Sequence, residues 1–507
     1  MDSASQAAVD EIRVETFYGA LRGSETEGVR RFLGVPFAAP PVGALRFALP
    51  QAPVAWTGVR DATQRGHIAP QPTPTPEEME KVLPGCDIEP LIGGSQVQGD
   101  NFLVLNIWSC ESAVDAPVMV FIHGGAFTGG AGAADVYDGT AFARAGVVLV
   151  TINYRLGIEG FLPIPGAPTN LGLRDQIFAL QWVRDNIAAF GGNAGNVTIF
   201  GESAGAMSVA NLVASPLAKG LFKRAIVQSG HGDMVRPISI AQRLVKKLAK
   251  TLRIAPTVEG FKSKSFAECV AGLRKVSLPT ANIDLRNPDG REPAFGLSKF
   301  LPVYGDDVLP LHPVEALTQG VGAEIALIVG TNSEEMNLYF VPSGVRKKIG
   351  SFLANFVTRK AEPKAKEILR AYGIKDKGKR PGDAFTEALT DLVFRLPARR
   401  FAAAHRGRTH VYDFTWRSGA YGGTLGACHA IELPFVFDTL RTVDGPRGLA
   451  GANPPQEIAT RMNAIWVEFG KTGALPWPAY DEQRIVYDPA TDKAAPEAPF
   501  PAERILG

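Results

Sequence analysis

Ser203 lies in Gly201-Glu202-Ser203-Ala204-Gly205, and a serine in that setting can do one kind of chemistry well. A serine hydroxyl is a poor nucleophile at neutral pH and needs an adjacent base. The pattern G-x-S-x-G supplies the geometry only where a strand runs into a tight turn and a helix follows. Here Val197-Thr198-Ile199-Phe200 reads as a strand, and Ala204 to Val213 reads as a helix. Small residues at Gly201, Ala204 and Gly205 suit such a turn. The helix N-terminus would aim its dipole and free N–H groups at the site. The chemistry these residues point to is acyl transfer through a serine ester.

The base is expected to be a histidine, preceded by Asp or Glu, both after the serine. The chain has 7 His. His67 and His123 precede Ser203. His231 and His312 follow too soon to leave room for a strand carrying the acid. His405 falls in the helical pattern PARRFAAAHRGR and reads as solvated. His410 opens an alternating strand and reads as structural. His429 lies in the loop GACHAIELPF after that strand, where a scaffold presents catalytic side chains. The acid should close a strand between the two. Ile325 to Val329 leads into Gly330-Thr331-Asn332-Ser333-Glu334-Glu335-Met336, and on spacing alone Glu334 and Glu335 both qualify. The developing oxyanion needs backbone N–H donors. Gly124 and Gly125, in FIHGGAF after an apolar run, offer two, and Ala204 offers a third.

These residues need a scaffold that brings distant segments together. Pro117 to Ile122 and Val147 to Asn153 are largely apolar runs, as expected of strands buried on both faces. Leu173 to Phe190 has helical spacing and stops at Gly191-Gly192. Arg224 to Gln228, Ile325 to Val329 and His410 to Trp416 are further strand candidates. The alternation predicts an α/β fold with a mostly parallel sheet flanked by helices. One domain is expected over residues 1–507. Residues 238–295 and 339–400 are mainly helical and polar, and read as excursions placed where a lid or pocket wall would stand. There is no fixed-period repeat and no low-complexity linker.

Composition narrows the partners. A net charge of +2 gives no reason to expect nucleic acid or an acidic membrane surface. The basic run Lys375 to Arg380 sits beside Pro381-Gly382 and reads as a solvated loop. Cys86, Cys110, Cys269 and Cys428 show no C-x-x-C pair and no histidine at zinc spacing, so neither a metal nor any other cofactor is expected. The opening MDSASQAAVDEIRVET has no basic region followed by an apolar one, and no run of 18 apolar residues occurs. The expected compartment is the cytoplasm, or the periplasm or exterior if a leader was removed.

The motifs together resemble the type-B carboxylesterase family of α/β-hydrolases, which includes cholinesterases and bacterial para-nitrobenzyl esterases. Phe32-Leu33-Gly34-Val35-Pro36-Phe37-Ala38 with Pro40-Pro41-Val42-Gly43 and Leu45-Arg46-Phe47 is similar to the family's N-terminal signature. Asn153 to Gly157, Asp175-Gln176, Ala179 to Val183 and Phe190 to Asn193 resemble its central block. The resemblance implies an α/β-hydrolase fold and aligns the family's catalytic glutamate with Glu335, although Met336 departs from the glycine usual after it. It implies supporting positions beside the nucleophile at Glu202 and Ser229, and ion pairs Arg46–Asp100 and Arg155–Asp175. Phe102 replaces a cysteine common in relatives, so a disulfide over that loop is not expected, and the loop from Ala69 to Gln98 could shape the pocket mouth.

The expected function is therefore a serine carboxylesterase acting on a small-molecule ester, with Ser203, Glu335 and His429 as catalytic residues. A monomer or small homo-oligomer is expected. An amidase or peptidase on the same fold and a non-catalytic cholinesterase-like binding module are the alternatives.

Overall fold

A computed structural model describes residues 10–507 except Pro279; the N-terminal stretch read for a leader lies largely outside them. The chain forms the strands β1 (Asp10–Thr16), β2 (Gly19–Thr26), β3 (Val29–Pro36), β4 (Val59–Asp61), β5 (Val104–Cys110), β6 (Ala116–Ile122), β7 (Val148–Ile152), β8 (Gly192–Glu202), β9 (Arg224–Gln228), β10 (Arg236–Pro237), β11 (Val303–Tyr304), β12 (Ala326–Asn332), β13 (Thr409–Phe414), β14 (Ile485–Asp488) and β15 (Lys493–Pro496). All but β10 and β11 belong to one 13-stranded sheet, ordered β1-β2-β3-β5-β7-β6-β8-β9-β12-β13-β14-β15, with β4 against β2. From β7 through β14 every neighbouring pair is parallel. The N-terminal strands β1, β2, β3 and β5 are antiparallel, a meander ahead of the parallel centre. The α/β fold with a mostly parallel sheet, expected from strand–helix alternation, is the fold observed.

Burial follows the period of two. Val118, Val120 and Ile122 of β6 pack in one core with the helices Leu171–Asn186 and Ala204–Val213. Met119 and Phe121, from the same strand, pack in a second core with the helix Gln456–Thr472. Helices thus cover both faces, which is why β6 and β7 read as almost wholly apolar runs. The helix Leu171–Asn186 continues as a tight turn over Ile187–Phe190 and stops at Gly191, whose φ is 82°.

Two corrections concern buried polar groups. Arg46 pairs with Glu159, not Asp100: Nη2 and Nε donate to its carboxylate at 2.6 and 3.0 Å, and Nη1 donates to the Lys264 carbonyl. Both side chains are under one tenth exposed. A buried guanidinium needs a buried counter-charge, and Asp100 stands at the surface. His405 is 6% exposed rather than solvated, its ring held between the Thr409 hydroxyl and the Gly322 carbonyl. The Arg155–Asp175 pair is present, bidentate at 2.8 and 2.6 Å and fully buried. Phe102 is buried in the core, and all four cysteines are free.

The parallel strands deliver their carboxyl ends to one edge of the sheet. Chain leaves that edge after β9 and β12 to form the helices Ile238–Leu252 and Phe266–Ser277 in the first case, and Ser351–Arg359, Ala365–Ala371 and Pro381–Thr390 in the second. No helix among the described residues is long and apolar enough to cross a membrane.

Candidate active site

Ser203 sits between β8 and the helix Ala204–Val213 at φ 57° and ψ −124°, a conformation L-residues rarely adopt. Its N–H donates to the Gln228 carbonyl at 2.9 Å, which ties the turn to β9. The following helix must pass close to β6. A Cβ on Gly205 would overlap the Ile122 carbonyl, so only glycine fits there.

Three of the residues singled out by sequence meet in one chain of contacts. Nδ1 of His429 donates to Glu335 Oε2 at 2.7 Å. That fixes the tautomer and leaves Nε2 facing Ser203 Oγ at 2.8 Å. Glu335 lies in the turn after β12, with no solvent exposure, and its Oε1 accepts the Asn332 N–H at 2.8 Å. Met336 adopts φ −73°, which any residue tolerates, so the missing glycine changes nothing in this turn. Glu334 points elsewhere, accepting from Arg417 and from the Ala427 N–H. Spacing alone could not separate the two carboxylates; direction along the turn does.

Gly124 approaches Ser203 closely enough that a Cβ on it would meet the Ser203 Cβ at 3.1 Å and Glu202 Oε2 at 2.8 Å. The loop then runs through Gly125, Ala126 and Phe127 with φ of 109°, 55° and 61°. Three successive positive φ values are strained for two of these residues, and several contacts hold them. The Ser298 hydroxyl bonds the Ala126 carbonyl at 2.8 Å, and the Gly157 N–H donates to Phe127 at 2.7 Å. Gln71, from the loop Ala69–Gln98, both donates to and accepts from Gly130. Buried His123 is kept neutral, its pKa lowered to about 4 by burial, and Nδ1 donates to the Gly124 carbonyl at 2.8 Å. The N–H groups of Gly124, Gly125 and Ala204 donate to no backbone acceptor among the described residues.

Around the histidine the structure holds more charge than the motifs suggested. Glu202 Oε1 lies 3.2 Å from His429 Nε2. Burial lifts the Glu202 carboxyl to about 8, helped by the charges of Glu432 and Glu335 and opposed by His429. Burial works against a charged His429, but Glu202 and Glu335 outweigh it and raise the ring to about 9. The two groups titrate as a pair. Ser229 is fully buried next to Gln228; its N–H donates to the Gly330 carbonyl, its φ is 53°, and its hydroxyl has no hydrogen-bond partner among the described residues.

Several residues near the site carry no sequence motif of their own. Glu432 is fully buried and accepts from Asn332 at 2.6 Å and from Gln228 at 3.3 Å, while Trp466 donates to Gln228 at 3.0 Å. In sequence Glu432 stands out only as part of the block from His429 through Glu432 with Pro434, Phe435 and Phe437, which resembles the family's, and that block assigns it no role. Phe394 and Tyr339 lie 4.7 and 5.8 Å from the His429 ring, centroid to centroid. Phe394 belongs to a π-helical turn, Asp391–Arg395, a feature frequent at functional sites. Ser203 opens on a narrow cavity of about 30 Å³, walled by Phe127, Met207, Met234, Leu297, Leu301, Tyr339 and Phe394. Tyr339 and Phe394 come from the second excursion, whereas Met234, Leu297 and Leu301 flank the first. A larger polar cavity of about 450 Å³ lies behind the acid turn, lined by Glu334, Arg346 and Asp391, but no histidine lines it.

A parallel sheet with an elbow serine and loops converging on its carboxyl edge defines an α/β-hydrolase. The model of the Carboxylesterase family matches residues 10–498, and the chain belongs to that family. It is 36% identical over 488 residues to the para-nitrobenzyl esterase of Bacillus subtilis (strain 168), covering 93% of each chain. It is 32% identical to the phenmedipham hydrolase of Pseudarthrobacter oxydans, covering 92% of each. A carboxylesterase of Geobacillus stearothermophilus superposes with a TM-score of 0.81 at 35% identity, over 97% of this chain and 99% of that one. The protein is a carboxylic ester hydrolase.

Proposed function

We propose that the protein cleaves small-molecule carboxylic esters through an acyl-enzyme on Ser203. The observation that carries this reading is the unbroken relay from Ser203 Oγ through the His429 ring to Glu335, at 2.8 and 2.7 Å. Ser203 Oγ attacks the carbonyl carbon as His429 Nε2 takes its proton, and Glu335 stabilises the charged ring. The N–H groups of Gly124, Gly125 and Ala204 hold the oxyanion. His429 then returns the proton to the leaving alcohol. Water attacks the acyl-serine with His429 again as base, which releases the acid and restores Ser203. Glu202 supports the ring from its other side.

The apolar walls at Ser203 favour a short uncharged group on one side of the ester. The similar proteins named above, a para-nitrobenzyl esterase and a phenmedipham hydrolase, support aryl esters or carbamates as the first to try. A fluorophosphonate probe should label the wild type once per chain, and Ser203→Ala should abolish both labelling and turnover. Full turnover by that variant would sink the proposal. Comparing ester with matched amide substrates tests the amidase alternative.

A further inference from the structure

The second excursion carries a helix that is built inside out. Along Ser351–Arg359 the small residues Ala354 and Thr358 are buried, while Phe352 is 86% exposed, Phe356 51%, Leu353 46% and Val357 38%. These four sit at i, i+1, i+4 and i+5, so they form one stripe over adjacent turns. A surface helix ordinarily turns such a stripe inward. Cations frame it. Lys347 and Lys348 precede the helix, Arg359 and Lys360 end it, and Lys360 Nζ stands 4.6 Å over the Phe356 ring. None of the four has a carboxylate partner among the described residues. Lys347 also helps to wall a cavity of about 160 Å³ with Arg346, Arg380 and Arg417. Residues 345–371 hold eight Lys or Arg against two Glu, whereas the whole chain is only +2. The net charge averaged this concentration away.

We propose that this face docks on an anionic lipid–water interface. Exposed aromatic and aliphatic side chains on a helix, bordered by lysine and arginine, are the means by which helices lie in the headgroup layer. The cations supply attraction to anionic headgroups within a Debye length. The four side chains of the stripe stand exposed rather than recessed, as a flat interface requires. A second copy of the chain would set one cation cluster against another, which like-charge repulsion opposes.

The test is co-sedimentation of the full chain with vesicles of phosphatidylglycerol and phosphatidylcholine, against phosphatidylcholine alone. About tenfold more protein should pellet with the anionic vesicles at low salt, and the excess should vanish at high salt. The double variants Phe352→Ser/Phe356→Ser and Lys347→Glu/Lys348→Glu should each lose that binding. Both should hydrolyse a soluble ester at the wild-type rate, which shows that they are folded. No preference of the wild type for anionic vesicles would overturn the proposal, as would binding unchanged in both variants. A dimer dispersed by Phe352→Ser, without vesicle binding, would assign the face to a second copy. Capture by soluble polyglutamate without vesicle binding would assign it to an acidic protein.

Discussion

His429 and Glu335 are joined twice: ring Nδ1 donates to the carboxylate at 2.7 Å, and the His429 amide donates to the Glu335 carbonyl at 3.2 Å. The main-chain bond places the loop, and the side-chain bond sets the tautomer. Glu335→Gln keeps the first and corrupts the second. We expect kcat to fall by roughly 10³–10⁴-fold with an unchanged circular dichroism spectrum. Glu334→Gln should stay within about tenfold of wild type, because its carboxylate serves Arg417 and the Ala427 amide. If the two losses were reversed, the acid would be Glu334.

The pH profile should answer to Glu202. A histidine acts as a base only when neutral, and the charge of the Glu202 carboxylate, with Glu335, holds the His429 ring above its ordinary value. Removing that charge with Glu202→Gln lowers the ring's pKa, so the neutral form survives to lower pH. The acid limb of kcat/KM should move down by about one unit. A limb that moved up, or stayed, would show that Glu202 does not act on His429 through charge.

Ser298 should matter to rate more than to binding. Its hydroxyl holds the Ala126 carbonyl in a loop with three successive positive φ values. Ser298→Ala should lower kcat by about tenfold with little change in KM, and should weaken a boronate transition-state analogue in parallel. Ser298→Thr should recover much of the loss. A rise in KM alone would make Ser298 a wall of the cavity and no more.

The backbone at Ser203 should cost stability. At φ 57° and ψ −124° a side chain is strained by about 1–3 kcal/mol, a strain that glycine escapes. Ser203→Gly should therefore gain about 1 kcal/mol in urea unfolding, while Ser203→Ala, which keeps the Cβ, should not. Equal effects from the two variants would place the cost elsewhere.

Arg46 gives a plain contrast between a buried and a surface acid. Glu159→Gln strands a guanidinium that is itself buried, and should cost about 3–5 kcal/mol. Asp100→Asn should stay within about 0.5 kcal/mol. Matching losses would restore Asp100 as the partner.

The elements that were legible in sequence are those whose environment is uniform. β6 and β7 are buried on both faces, so their residues are apolar but for Thr151. The elbow and the glycine pair show because close backbone approach excludes side chains. Glu335 and His429 could be ordered along the chain, but spacing left Glu334 and Glu335 level; the family resemblance favoured Glu335, and the direction of the turn shows why Glu334 faces elsewhere. The N-terminal meander has mixed burial and left a weak pattern. Arg46 found Glu159 rather than Asp100 because burial, invisible in a list of charges, decides which carboxylate a guanidinium needs. Glu432, Gln228 and Trp466 form a network across distant segments, and no local spacing announces it.

Ser203, Glu335 and His429 come after β8, β12 and β13, which lie close in one sheet with only β9 between β8 and β12, yet are widely separated in synthesis. Ser203 and its elbow are complete long before His429 has been made. On the proposed mechanism, a nascent chain that ends short of His429 carries Ser203 without its base and should be inert toward esters and fluorophosphonates however well its first strands have paired. Catalytic competence is thus a property of the nearly finished chain. Probe labelling of ribosome-stalled chains of increasing length should switch on only once His429 has emerged and β13 has joined β12.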